Sequence, residues 1–113
     1  MLRLALDATA LLGPRTGVGA VTTEVLRRLA PRAGLDVTAF AVTWRGRGEL
    51  AGRVPPGVRV ASRPLPARPA RMIWRRVDHP AVEWWTGEVD VVHGPNAVVP
   101  PTRAAARVLT VHD

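Results

Sequence analysis

The sequence predicts an α/β fold, a Rossmann-like and largely parallel sheet with flanking helices. Three observations carry that expectation. Short apolar runs recur along the chain, at Leu2 to Leu6, Asp36 to Val42, Val58 to Ser62, Val89 to His93 and Arg107 to His112. The last two are almost continuously apolar, the pattern of strands covered on both faces of a parallel sheet. Between the first two runs, Val18, Val21, Val25, Leu26 and Leu29 recur at helical spacing while Glu24, Arg27, Arg28 and Arg32 fall elsewhere.

Taken in order, the first run ends at Asp7 and gives way to the loop Leu12-Gly13-Pro14-Arg15-Thr16-Gly17-Val18-Gly19. A helix then spans about Gly17 to Ala30, with Thr16 as N-cap and Pro31 and Gly34 closing it. The second strand, rich in β-formers, is followed by a loop that holds Gly46, Gly48, Gly52 and Pro55-Pro56. After the short third strand, the prolines from Pro64 to Pro69 remove donors and bias their neighbours to extended geometry. Helix resumes over about Ala70 to Val77, and a short helical piece follows Pro80 through Trp85. Trp74, Trp84 and Trp85 are expected to pack these helices between the third and fourth strands.

With 113 residues, 47% of them apolar, the chain supports one domain with one core. All sixteen basic residues are arginine, and the net charge is +7. That charge suits phosphate, yet the Arg-rich middle third lacks interleaved Phe or Tyr on which bases stack, so no nucleic-acid partner is expected. The absence of cysteine removes disulfide and thiolate chemistry. Asp7 interrupts the apolar start before a signal-peptide core forms, and no run approaches the ~20 apolar residues of a membrane span. A cytoplasmic protein is the expectation.

In an open α/β sheet ligands gather at the carboxyl ends of the strands. Candidate residues therefore follow the apolar runs: Asp7 with the glycine loop, His93 to Asn96, His112 and Asp113. Gly17 and Gly19 stand where a helix N-terminus favours an anion and where a missing Cβ lets a phosphate approach. As a dinucleotide fingerprint the loop departs from pattern, with Thr22 in place of the third glycine and no carboxylate ending the second strand. A plain strand-to-helix turn is the competing reading. His112 can accept or share a proton near neutral pH. The turn Gly94-Pro95-Asn96 can present Asn96 to a sugar or polyol hydroxyl. No metal-ligand spacing links the three histidines and the carboxylates, and Ser62, the single serine, lies in no nucleophile elbow.

The segments Leu4-Ala5-Leu6-Asp7-Ala8-Thr9, Gly13-Pro14-Arg15-Thr16-Gly17-Val18-Gly19, Asp90-Val91-Val92-His93-Gly94-Pro95-Asn96 and Val108-Leu109-Thr110-Val111-His112-Asp113 resemble, in order and spacing, the N-terminal domain of family 4 glycosyltransferases. The resemblance spans the chain, loosely from Gly46 to Trp85. It implies the acceptor-side half of a GT-B fold, in which two Rossmann-like domains face each other across a cleft. It implies a nucleotide-sugar donor, a sugar, polyol or lipid-linked acceptor, retention of anomeric configuration and no bound metal. Gly17 and Gly19 would then hold the donor diphosphate, His93, Asn96 and Asp113 would meet the acceptor, and His112 would lie beside the reacting sugar. On this reading the chain is an incomplete domain reaching a functional loop at Thr110-Val111-His112-Asp113. It lacks the nucleotide-sugar domain with its E-x7-E motif, and is inactive alone. Basic residues from Arg63 to Arg76 suit peripheral contact with the inner membrane face and, equally, plain solubility. The alternative is a stand-alone nucleotide- or anion-binding Rossmann-like module without catalysis.

Overall fold

Side-chain alternation along the first strand sets the layering. In the computed structural model, which describes residues 1–12, 17–41, 49–61, 82–95 and 102–110, Leu2–Asp7 form strand β1. Successive residues point to opposite faces. Ala5 therefore joins Phe40, Val82, Val89, Val92 and Ala105 in one apolar cluster. Leu6 joins Leu26, Val37, Ala39 and Leu50 in the other. β1 is buried on both sides because a helical layer lies on each.

Helix α1, Gly17–Leu29, supplies the cover on the Leu6 face through Leu26, which is fully buried. Its solvent side carries Glu24, whose carboxylate meets Arg27 at 2.8 Å and Arg28 at 3.5 Å. The helix ends because Pro31 has no amide to continue the ladder, and Gly34, at φ +79°, turns the chain into the next strand. On the Ala5 face the cover comes from Val82 and the single-turn helix α3, Glu83–Thr86.

Strands β2 (Leu35–Phe40), β3 (Arg59–Ala61), β4 (Val91–Gly94) and β5 (Ala106–Leu109) complete a five-stranded sheet in the order β3-β2-β1-β4-β5. Every pairing is parallel. The α/β class and the parallel sheet expected from the sequence are thus present.

Two expectations differ. The loop read between β2 and β3 contains a one-turn helix α2, Leu50–Arg53. Leu50 is buried against the α1-side core, while the Arg53 guanidinium pairs with Glu49 and donates to the carbonyl of Leu11 at 2.9 Å. A single buried leucine is too short a periodic signal to announce such a turn. Strand β5, read as buried on both faces, is exposed at all four residues, with Val108 at 46% and Leu109 at 49%. It is the sheet edge, and no helix among the described residues covers it. The stretch Pro64 to Pro69, the helix over Ala70 to Val77 with Trp74, the N-cap Thr16 and the side chains of Trp84 and Trp85 lie outside the described residues.

Because Leu26 fastens α1 to the sheet, replacing it with Ala is expected to cost roughly 2–5 kcal/mol of stability, read from urea unfolding. A loss below 1 kcal/mol would mean that α1 is held by something else.

Candidate functional site

β1 is paired on both sides, to β2 along Leu2 to Asp7 and to β4 along Leu4 to Leu6. The chain therefore runs from β1 to β2 and β3 on one side and then crosses back to β4 and β5 on the other. A crevice opens outside the carboxyl ends of two strands where such a reversal occurs. Here those ends belong to β1 and β4.

The residues at that edge follow from the register. Leu6 aligns with His93, and His93 aligns with Val108, so Asp7, Gly94 and Leu109 come next along neighbouring strands, with Thr110 one residue further. Asp7 closes β1 as a local cap. Its Oδ1 accepts the Thr9 N–H at 2.9 Å and the Thr9 hydroxyl at 2.5 Å, which starts the 3-10 turn Thr9–Leu11. An Asp-x-Thr step after a strand is a readable turn signal of this kind.

His93 is half-buried, and its Nε2 lies 2.7 Å from the Thr110 hydroxyl. Burial holds the imidazole below the ordinary histidine value, so the ring is neutral at pH 7. A neutral imidazole bonded through one nitrogen keeps a defined donor or acceptor at the other. Thr110 extends the ladder past β5 by donating its N–H to the carbonyl of Gly94 at 3.0 Å. Its part was not legible in the sequence, because nothing in either strand fixes their relative offset.

α1 begins at the same edge, since it is the helix that connects parallel β1 to β2 and packs on the 3-10 turn after β1. Gly17 is its first residue. Among the described residues a Cβ built there meets no atom within 4 Å, and its φ is not in the left-handed region, so none of them demands glycine at this position. Gly19 is buried one step further in, and its carbonyl accepts the Thr23 hydroxyl at 2.9 Å. Thr22, standing where a dinucleotide fingerprint has its third glycine, is fully buried and donates its hydroxyl to the carbonyl of Val18 at 2.8 Å. The departure from the fingerprint is thus absorbed by the helix–sheet packing.

The sequence-predicted residues divide accordingly. Gly17, Gly19 and His93 belong to elements whose described ends meet at one edge, whereas Asn96, His112, Asp113 and the loop from Gly13 to Thr16 lie outside the described residues. Two concavities lie elsewhere. One of about 250 Å³ is lined by Arg3, Glu83, Glu88, Val89, Asp90, Arg103 and Ala104. There Asp90 accepts the Arg3 backbone N–H at 2.7 Å and pairs with its guanidinium at 3.3 Å, joining β1 to the start of β4. The other, about 390 Å³, is a shallow apolar hollow beside Val21 and Val25 on the outer side of α1. Arg3, Arg27, Arg28, Arg53, Arg59 and Arg103 each lie within 4 Å of a carboxylate, so their charge is offset locally. Among the described residues no group of three or more His, Cys, Asp or Glu could hold a metal ion, and no helix is long and apolar enough to cross a membrane.

The shift of His93 has a stability consequence whose sign is fixed. Between the ordinary histidine value and the lower native one, the unfolded chain binds the proton and the folded one does not, so stability falls as pH falls through that interval and levels off below it. The wild-type thermal midpoint is expected to drop from pH 7 to pH 5 more steeply than that of His93→Gln. Parallel slopes would show that His93 titrates alike in both states. Comparison with protein-family models, with curated proteins and with solved structures finds no match to this chain.

Proposed function

We propose that the carboxyl edge of the sheet is the acceptor-side wall of a sugar-transfer cleft, and that the chain is the N-terminal part of a retaining, family 4-type glycosyltransferase. The observation that carries this reading is the sheet topology, in which the start of α1, the end of β1 and the His93–Thr110 pair share the carboxyl side of the sheet at its switch point. It is supported by the four sequence segments that resemble that family in order. The first turn of α1 presents backbone N–H groups and the positive end of the helix dipole to a nucleotide-sugar diphosphate. His93 and Asn96, with Asp113, are positions for hydrogen bonds to the acceptor, a sugar, a polyol or a lipid-linked sugar at the cytoplasmic membrane face. His112 is the residue assigned to the reacting sugar. No metal enters the scheme. The remaining charge on the diphosphate is met by groups of a second Rossmann-like domain across the cleft.

Gly17 separates fold from function. Because a Cβ there meets no atom of the described residues, Gly17→Ala is expected to leave stability unchanged or raise it by up to about 1 kcal/mol, since alanine is the better helix former. The same substitution is expected to weaken diphosphate binding several-fold if phosphate approaches the α1 backbone. Titration of both chains with a nucleoside diphosphate, followed by the amide signals of residues 17–20, reads this directly. Identical titrations would remove Gly17 from the site.

The open space at Gly17 also favours a second reading, a stand-alone nucleotide- or anion-binding module. Micromolar binding by this chain alone would support that module. Millimolar binding, with sugar transfer appearing only when the nucleotide-sugar domain is joined, supports the transferase. In such an active enzyme, His112→Ala is expected to lower kcat by about 10²-fold or more with an unchanged melting temperature. Unchanged turnover would exclude His112 from the chemistry.

A further inference from the structure

Strand β5 has little packing of its own. Its four residues are exposed, and its one partner strand among those described is β4. Its placement therefore rests on the ladder to β4 and on the contacts at its two ends.

At the leading end stands Glu83, the first residue of α3, which is only 9% exposed. Its carboxylate accepts three consecutive backbone N–H groups. Arg103 donates at 2.9 Å to each oxygen, Ala104 at 2.8 Å and Ala105 at 3.2 Å. The Thr102 hydroxyl donates to the carbonyl of Ala105 at 2.8 Å and tightens the same turn. Successive N–H groups converging on one point form a nest for an anion. In this fold the anion is the protein's own side chain, some twenty residues away in sequence. Burial pushes the Glu83 carboxyl up, but the N–H groups of Ala104, Arg103, Glu83 itself and Ala105 outweigh it and hold the group below the usual carboxylate range. Glu83 is therefore ionised at neutral pH.

Immediately after the nest, Ala106 donates to the carbonyl of Asp90 at 3.0 Å and the β4–β5 ladder begins. Four residues later, Thr110 meets Gly94 and His93. A strand of four residues is about 13 Å long, too short to lose register between its ends. We infer that Glu83 is a positioning residue for the strand-end site: by anchoring residues 103–105 it fixes where β5 starts, and so where Thr110 meets His93. The inference rests on reading that edge as the site, but its test does not.

The experiment compares the 113-residue chain with its Glu83→Ala and Glu83→Gln variants, by amide hydrogen exchange and by NMR titration of the His93 ring. In Glu83→Ala, exchange at Ala106 and Thr110 is expected to accelerate at least tenfold relative to Ala5 and Val37 in the central strands. His93, losing its neighbour, is expected to titrate closer to the ordinary histidine value. Glu83→Gln, which keeps one acceptor oxygen, should fall between and serves if the alanine variant does not fold. The concavity of about 250 Å³ beside Glu83 gives a small carboxylate access, so sodium acetate should restore Glu83→Ala where sodium chloride at equal ionic strength does not. Three results would overturn the inference: equal acceleration at all four amides, no acceleration at Ala106 and Thr110 in a folded variant, or an unmoved His93 titration. Exchange and titration require no nucleotide, so they stand or fall separately from the glycosyltransferase reading.

Discussion

The parallel pairing of β1 on both of its edges is the constraint on which the rest of the structure depends. β1 pairs with β2 along all six residues, Leu2–Asp7, and with β4 along Leu4 to Leu6, and it sends Ala5 and Leu6 into opposite cores. A central strand cannot face water on either side, so both helical layers follow from its position. The reversal of strand order at β1 also puts Asp7 and His93 at the same carboxyl edge of the sheet, beside its switch point. Fold and candidate site thus share one cause.

Polar groups secure the strands where apolar packing is thin. At the amino edge, Arg3 and Asp90 tie β1 to the start of β4 through the backbone bond from the Asp90 N–H to the Arg3 carbonyl, the Arg3 N–H on the Asp90 carboxylate, and an exposed ion pair. The backbone bond supplies geometry, while the ion pair is screened by solvent and contributes little to stability. Glu83 differs because its carboxylate is buried and filled with backbone donors, so removing it strands several N–H groups at once. The two carboxylates sit on one concavity and do different work for this reason.

Much of this was legible in the residues. The apolar runs announced all five strands to within a few positions, and the helical spacing of Val18, Val21, Val25, Leu26 and Leu29 announced α1. These signals survive because burial of a face imposes its period on the sequence. The glycine at position 17 and the histidine at position 93 were found because strand ends and helix starts leave recognisable punctuation. What stayed hidden depended on distant partners. The exposure of β5 is a matter of its place at the edge, and a continuous apolar run reads the same at the edge as in the middle. Thr110 became visible only once the β4–β5 register was known. Glu83 carries no signal in the sequence, because its three partners are backbone groups without a sequence signature.

The strand order has a consequence in time as well as in space. β1 finds its first partner within some thirty residues, at Leu35, but its second only near Val91. A unit of β1, α1 and β2 can form from neighbouring segments, whereas closing the other side requires the ends of a far longer loop to meet, at a greater entropic cost. The switch point does not exist until that second closure is made. In a chain emerging residue by residue, the candidate site is therefore among the last features to be built, although its first residue is among the earliest to appear.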